Sequence, residues 1–173
     1  MTSLLSSFQN LFQHAPVDHE CDALSANLKK LPRRVQQVFL LSRLDDLPFA
    51  AIAQRLDVPL STVEKHMTLI LEHTRTPSPG DPLPGTASHW YSRLQNPLTT
   101  ASERIDFRRW LDACATHRDA FHTTELHWRK LLAPARELGA GQWYRQPRTH
   151  LAPIGYALAA LVLATLAAVA IWA

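Results

Sequence analysis

A proline-rich stretch, TPSPGDPLPG at residues 76–85, most constrains how this chain of 173 residues can fold. It holds four prolines and two glycines in ten positions. Proline lacks a backbone N–H donor and clashes with the turn before it, so a regular helix cannot continue through such a stretch. We therefore predict a linker at residues 76–85 between separate units at residues 24–75 and 86–135.

The first unit carries apolar residues at helical spacing, and no part of it alternates as a strand would. Its three apolar stripes are Leu31, Val35, Val38 and Phe39; then Phe49, Ile52, Ala53 and Leu56; then Val63, Met67, Ile70 and Leu71. A short turn at residues 57–59 separates the last two stripes. This arrangement predicts a helix-turn-helix domain whose last helix is placed for the major groove of DNA.

The face of that last helix opposite its apolar stripe carries Ser61, Thr62, Glu64, Lys65 and Thr68. Hydroxyl and ammonium groups can donate to base edges or phosphates, and a glutamate can accept from the amine of cytosine. Basic residues outside this face are candidates for phosphate contacts: Arg33, Arg34, Arg43 and Arg55. A solvated surface helix carries the same residue types, so the pattern alone leaves both interpretations open.

The second unit is predicted to be a small three-helix domain. We expect Thr86 to cap its first helix, Thr100 and Glu103 to form a capping box before its second, and the third to begin near His117. Its core is marginal without a partner, because the unit is short. We therefore predict a partner-binding surface made from its large apolar residues: Trp90, Leu94, Phe107, Trp110, Leu111, Phe121 and Trp128.

The end of the chain, residues 151–173, contains no charged residue. As a helix it would be about 34 Å long, enough to cross a bilayer core of roughly 30 Å. We predict a single transmembrane helix there, preceded by a juxtamembrane segment at residues 136–150; the alternative is a buried helix of a soluble protein. Because the flanking arginines precede the span, we expect an inner-membrane protein with its N-terminus in the cytoplasm. Residues 1–23 are predicted to form an amphipathic N-terminal arm.

Enzymatic chemistry finds no support in the sequence. There is no glycine-rich phosphate loop, and the two cysteines form no CxxC pair. His117, His122 and His127 recur every five residues, which turns successive side chains by about 140° and prevents them from sharing a metal. Cys114 continues an apolar stripe, so we expect it in the core rather than as a nucleophile. We predict no enzymatic activity, cofactor or metal.

Residues 31–75 closely resemble region 4 of extracytoplasmic-function sigma factors, especially the FecI-like group. The matching positions are Leu31-Pro32, Val38-Phe39-Leu40-Leu41, Ile52-Ala53, Leu56 and Ser61-Thr62-Val63-Glu64-Lys65-His66. The resemblance implies promoter DNA and RNA polymerase as partners, with Ser61, Thr62, Glu64 and Lys65 reading the minus-35 element. Asp57 stands where the family usually has glycine, and Pro59 stands where it usually has a serine cap. Sigma factors also carry a region 2, which we do not expect in the 23 residues before Leu24.

The second unit is similar to the N-terminal cytoplasmic domain of FecR-like anti-sigma regulators, which precedes a single membrane span. The resemblance lies in Ala87, Trp90, Leu94, Thr100, Glu103, Phe107, Trp110, Leu111, His117, Arg118, Ala120, Phe121 and Trp128. It implies that this unit binds a FecI-like sigma factor or the region 4 of its own chain. We thus predict a membrane-anchored regulator of sigma-dependent transcription initiation. The alternatives are a tethered interaction module whose region 4 is a decoy or fusion remnant without DNA binding, and a truncated product without activity.

Overall fold

The computed structural model describes residues 15–75 and 80–146, which form helices and turns without any strand. The prediction of an all-α fold is confirmed for these residues. In chain order their α-helices are α1 (Ala15–Lys30), α2 (Arg33–Leu44), α3 (Phe49–Leu56), α4 (Leu60–His73), α5 (Leu83–Leu94), α6 (Ala101–Ala113), α7 (Ala115–Lys130) and α8 (Leu132–Leu138). A 3-10 segment, Ala140–Arg145, follows α8.

The first core lies between α1, α2, α3 and α4, and it confirms the three predicted stripes. Every residue of those stripes is buried. Leu24 and Leu28 of α1, with Leu40 and Leu41 of α2, join the same core. Because each fully buried Leu, Ile or Phe contributes roughly 1.5–3 kcal/mol relative to exposure, this core gives the helix-turn-helix most of its stability.

The turn between α3 and α4 has the geometry of a helix-turn-helix. Asp57 ends α3 in the left-handed conformation, with φ 51° and ψ 55°, which aspartate tolerates better than most residues. The backbone N–H of Val58 then donates to the carbonyl of Ala53 at 3.1 Å. Pro59 begins α4 without a side-chain cap, as expected from the missing serine. Its carbonyl accepts instead from the backbone N–H of Thr62 at 2.9 Å.

Helix α5 begins earlier than the sequence predicts. It begins at Leu83, inside the predicted linker, with Pro82 at its N-cap. The expectation that Thr86 caps this helix is therefore wrong; its hydroxyl lies within the helix and donates to the Pro82 carbonyl at 3.2 Å. Proline is compatible with the first turn of a helix, where its missing N–H has no intrahelical acceptor.

The predicted capping box of α6 is confirmed. The backbone N–H of Glu103 donates to the Thr100 hydroxyl at 3.3 Å, and the backbone N–H of Thr100 donates to the Glu103 carboxylate at 2.8 Å. Cys114, in contrast, does not continue this helix into the core. It lies between α6 and α7 in extended backbone, half-exposed, with Sγ 2.9 Å from the Thr116 hydroxyl. Helix α7 begins at Ala115, two residues before the predicted start.

The second unit packs against the first through α5, which contacts both α4 and α7. After α7 the chain returns to the first unit, because α8 contacts α1 and α2 and the 3-10 segment contacts α2. Leu131, Ala135 and Tyr144 thereby complete the core of the helix-turn-helix. The predicted juxtamembrane segment thus begins inside α8, which is packed against the first unit.

The predicted transmembrane helix and most of the predicted N-terminal arm lie outside the described residues. Within residues 15–75 and 80–146, no helix combines the length and the apolar composition that a membrane crossing needs.

Candidate nucleic-acid interface

Helix α4 presents two faces with different surroundings. Its inner face carries the buried residues Val63, Met67, Ile70 and Leu71. The predicted DNA-contacting residues point away from that core: Ser61 and Lys65 are exposed, and Thr62 and Thr68 are half-buried. Their placement is that of a recognition helix, since the residues that would contact a groove share the side opposite the core.

Glu64 departs from this pattern because it is covered by the second unit. Its side chain is 12% exposed, and one carboxylate oxygen accepts from Arg93 Nη1 at 2.9 Å and from Asn96 Nδ2 at 2.6 Å. Arg93 lies at the end of α5 and Asn96 in the loop that follows it. Hydrogen bonds to an ionised carboxylate are roughly twice as strong as neutral ones, so Glu64 is a principal polar contact between the two units.

Arg93 is in turn held by the capping box of α6. Its Nε and Nη2 donate to one Glu103 oxygen at 2.9 and 2.6 Å, while the other Glu103 oxygen accepts from Thr100. Hydrogen bonds to Glu64 and then Glu103 raise the pKa of Arg93. The Thr100 backbone N–H, its hydroxyl and then Arg93 lower the pKa of Glu103. The network therefore connects the recognition helix to the first turn of α6 through Glu64, Arg93 and Glu103.

A cavity of about 350 Å³ adjoins this network between α4 and α5. On the α4 side it is lined by predicted DNA-contacting residues, namely Ser61, Glu64, Lys65 and Thr68. On the α5 side it is lined by His89 and Arg93. The face of α4 that would meet a base edge is therefore turned toward α5.

A second connection lies at the C-terminal end of α4. Arg75 Nη1 donates to the Pro84 carbonyl at 3.1 Å and to the Thr124 hydroxyl at 3.0 Å. Beside it, the Thr74 hydroxyl donates to the Ile70 carbonyl at 2.7 Å and lies 2.7 Å from His127 Nε2. Burial, and then the nearby Arg75, lowers the pKa of His127 to about 4. His127 is therefore neutral at neutral pH, within hydrogen-bond distance of Thr74.

All four arginines predicted to contact phosphates have other partners in the described structure. Arg34 donates to the Leu56 carbonyl and, at 3.2 Å, to the Gln37 side chain, so it joins α2 to the end of α3. The Arg43 guanidinium lies 5.1 Å from the Trp128 ring centroid and donates to the Arg129 carbonyl at 3.3 Å. Arg34 and Arg43 are held within the fold. Arg33 and Arg55 are more exposed and contact the end of the described chain: the Arg33 guanidinium lies 4.2 Å from the Trp143 ring centroid, and Arg55 Nη2 donates to the Arg145 carbonyl at 2.7 Å.

The predicted partner-binding residues fall into two groups. Trp128 packs on the first unit, with its ring edge-on to Phe39 at 5.7 Å between centroids. Phe107 lies at the centre of the other group, 5.6 Å from Trp90, 6.3 Å from Trp110 and 4.9 Å from Phe121. Leu94 and Leu111 are half-buried in the same unit. Most of these residues therefore build the second unit, and Trp128 is the member that packs on the helix-turn-helix.

Arg93 and Asn96 are site residues that sequence reasoning did not identify. Both are polar residues at the end of an aromatic helix, and local periodicity gives no signal that they meet Glu64. The histidines that the sequence argument separated remain apart: His127 faces Thr74, and His117 stacks on Trp110 at 4.7 Å. No group of three or more potential metal ligands occurs in the part of the chain that the structure describes.

Comparison with protein families identifies both units. The family described as Sigma-70, region 4 matches residues 21–73, and the family described as Domain of unknown function (DUF4880) matches residues 86–126. Comparison with curated proteins and with solved structures gives no significant match. Sigma region 4 domains generally bind promoter DNA and RNA polymerase. The chain thus joins a sigma-70 region 4 domain to a DUF4880 domain, which is like the N-terminal domain of FecR, and this pairing relates it to sigma-factor regulation.

Proposed function

We propose that this chain is a membrane-anchored regulator of sigma-dependent transcription in which residues 86–135 act as an anti-sigma unit on the region 4 of the same chain. One observation carries the proposal. Glu64, on the face of α4 that would read DNA, is covered by α5 and paired with Arg93 and Asn96. The recognition helix is thereby occupied by protein where it would otherwise meet a promoter.

Geometry supports mutual exclusion between the second unit and DNA. The major groove is about 12 Å wide and admits a single α-helix with its side chains. Helix α5 contacts α4 along the face that bears Glu64 and lines a cavity with Ser61, Lys65 and Thr68. A groove wide enough for one helix cannot accept α4 while α5 lies against that face, so DNA binding requires the two helices to separate.

The covalent connection favours contact within one chain. Two surfaces joined within one chain by a short connection meet at an effective concentration of roughly millimolar, which a separate sigma factor would have to exceed. When the contact within the chain opens, the freed Arg93 and Asn96 become available to a FecI-like sigma factor that carries an acidic residue at the position of Glu64. The surface formed by Arg93 and Asn96 then serves both predicted partners, which are the region 4 of the same chain and a FecI-like sigma factor.

Membrane anchoring through residues 151–173 is the second part of the proposal. It is supported by an uncharged stretch long enough to cross a bilayer. The anchor would confine region 4 to the inner face of the cytoplasmic membrane. Protease accessibility of the N-terminus in sealed inverted vesicles tests this: we expect digestion in inverted vesicles and protection in right-side-out ones, and the opposite pattern would contradict the orientation.

The alternative, a tethered interaction module whose region 4 does not bind DNA, is favoured by different contacts. Arg34 and Arg43 are engaged inside the fold, and α4 begins at Pro59 without a side-chain cap. A region 4 that serves only as the docking partner of the second unit needs neither free arginines nor a strong cap. The two proposed functions differ in whether α4, once separated from α5, binds DNA with sequence specificity.

The experiment compares three purified full-length proteins in detergent micelles: wild type, Arg93→Ala with Asn96→Ala, and a control with Gln95→Ala and Arg109→Ala. The control removes an exposed amide and an exposed arginine from the same unit. Each protein is incubated with a randomised DNA duplex pool at fixed salt, and the bound fraction is sequenced over several rounds.

We expect only the Arg93 and Asn96 variant to enrich a sequence motif, and we expect Lys65→Ala in that variant to weaken binding. Equal enrichment by wild type would contradict occlusion of α4. A folded variant that enriches no motif would favour the interaction module without DNA binding.

A further inference from the structure

A second contact surface lies on region 4, and α4 contributes no residue to it. It consists of Gln37 in α2, Asp45 just after α2 and Arg55 in α3. Residues 143–146, at the end of the described chain, lie across it; we call this segment the strap. The strap is separated in sequence from its partners by about a hundred residues, so the contact is tertiary and not a local turn.

Region 4 side chains hold the backbone of the strap. Gln37 Nε2 donates to the carbonyls of Tyr144 and Gln146 at 2.8 and 3.0 Å. Arg55 Nη2 donates to the carbonyl of Arg145, which lies between them, at 2.7 Å. Three successive carbonyl groups are thereby bound by side chains. Contacts of this kind fix the path of a peptide whatever its sequence.

Asp45 selects the side chains of the strap. It accepts from Arg145 Nε at 3.0 and 3.1 Å and from Arg145 Nη2 at 2.6 Å. It also accepts from the Tyr144 hydroxyl at 3.0 Å. The Tyr144 residue is 2% exposed, and its ring belongs to the core of region 4. An aromatic residue followed by arginine therefore satisfies one carboxylate and fills one apolar site.

The strap consists of the end of the 3-10 segment and the residue that follows it, and it belongs to no α-helix. Gly141 and Gln142, just before it, have φ values of 77° and 54°, so the chain turns sharply there. Gly139 permits a close approach to region 4, since a Cβ at that position would lie 2.6 Å from Leu44 Cδ1. An equivalent segment that brought the same two side chains would restore the same hydrogen bonds and refill the same apolar site.

We propose that Gln37, Asp45 and Arg55 form a peptide-binding site on region 4 for a protein segment that carries an aromatic residue followed by arginine. The chain fills this site with its own Tyr144 and Arg145. A partner protein that presents the same pair of side chains displaces the strap and leaves the contact between α4 and α5 in place. The site is therefore separate from the contact between α4 and α5 on which the proposed function rests.

The test measures capture of the strap as a separate peptide. The probe is a fluorescent peptide of residues 141–146, GQWYRQ, and the matched control peptide replaces its tyrosine by serine and its arginine by glutamate. The full-length protein in detergent micelles is prepared as wild type, as Arg145→Glu, and as Tyr144→Ser with Arg145→Glu. Binding is measured by fluorescence anisotropy, and helix content by circular dichroism.

We expect saturable binding of the probe to the double variant, weaker binding to Arg145→Glu, and binding at least about tenfold weaker to wild type, whose site is filled. Asp45→Asn in the double variant should reduce affinity about tenfold, because the charge-assisted contacts with arginine are lost. The proposal is overturned if the double variant is helical but binds neither peptide, or if it binds the probe and the control peptide equally. If the double variant does not fold, Arg145→Glu, which keeps the Tyr144 ring in the core, must still bind the probe more tightly than wild type does.

Discussion

Region 4 and the second unit are both helical, but they bury different kinds of side chain. In region 4 the fully buried residues are large and apolar, among them Phe39, Ile52, Ile70 and Leu71. In α5, α6 and α7 the buried residues are small or polar, namely Ala87, Ser88, Ser92 and Thr124, and α6 buries none. The aromatic residues of the second unit are only half-buried.

This difference shows how each unit is held in place. Region 4 has a closed apolar core to which Leu131, Ala135 and Tyr144 add. The second unit has an aromatic cluster at its surface and depends on α5, which is packed between α4 and α7. A short helical unit with a partly exposed core is marginal alone, so contact with region 4 contributes to its stability. The same contact covers the recognition helix.

The largest expected effect on stability distinguishes the core of region 4 from that of the second unit. Leu71→Ala, at a fully buried position of α4, should lower the free energy of unfolding by about 2–5 kcal/mol. Leu111→Ala, at a half-buried position of α6, should lower it by roughly 1 kcal/mol, since less apolar surface is lost. Urea denaturation of residues 1–150, followed by circular dichroism, measures both. Equal losses would contradict the contrast between the cores.

The next effect concerns the contact between the units. Arg93→Ala leaves Glu64 buried without its cationic partner, and we expect a loss of about 2 kcal/mol in the free energy of unfolding. Arg109→Ala removes an arginine from an exposed pair with Asp106. It should change the free energy of unfolding by less than about 0.5 kcal/mol. Urea denaturation distinguishes the two variants, and similar values would mean that the Glu64 pair does not hold the units together.

A pH dependence follows from His127. Burial, and then Arg75, lowers its folded pKa to about 4, below the ordinary value of 6.5. The unfolded chain therefore binds the proton first, and the stabilising contribution present above pH 6.5 is lost as the pH falls toward 4. The groups facing His127 are Thr74, Arg75, Lys130 and Glu20. We expect the Tm to fall across this range and to fall less in His127→Gln.

His66 provides the control for that measurement. Burial, and then Arg34, lowers its pKa as well, so it contributes with the same sign. His66→Gln should leave the His127 part of the pH dependence intact. The pKa of the Asp45 carboxylate is lowered, first by its hydrogen bond to Arg145, so its contribution is lost as the pH falls through its ordinary value of 3.8 and below, a lower range than that of His127. A Tm profile unchanged by His127→Gln would contradict a buried neutral His127.

The smallest expected effect is local to the capping box. Thr100→Ala removes the hydroxyl that caps α6 and should lower the free energy of unfolding by about 1 kcal/mol. Thr100→Ser keeps the hydroxyl and should be near wild type. Because Glu103 also holds Arg93, Thr100→Ala should weaken the contact between the units as well. If Thr100→Ala and Thr100→Ser unfold alike, the capping box contributes nothing measurable.

Local patterns predicted much of the fold. The period of apolar residues predicted α2, α3 and α4 with their buried faces, and the capping box predicted the start of α6. The left-handed conformation of Asp57 agrees with the tolerance of aspartate for that conformation. The start of α5 was missed because proline was treated as excluding a helix, although it is tolerated in a first turn. Cys114 was missed because its spacing continued a stripe beyond the end of α6.

The site could not be predicted in the same way. Glu64 and Arg93 are 29 residues apart, and Asp45 and Tyr144 are 99 apart. Hydrophobic periodicity does not indicate either pair, because each contact depends on how whole helices pack against one another. The sequence indicated the exposed face of α4, but only the packing of α5 shows what covers it.

A double-mutant cycle on Glu64 and Arg93 measures whether the second unit holds the recognition helix through this pair. The free energy of unfolding is measured for wild type, Glu64→Gln, Arg93→Met and the double variant, all as residues 1–150. If this pair joins the second unit to α4, the single variants together should lose more free energy of unfolding than the double variant does. We expect the difference to be at least about 1 kcal/mol. If the losses add within about 0.5 kcal/mol, the pair does not couple the two units, and the account of the covered recognition helix is contradicted.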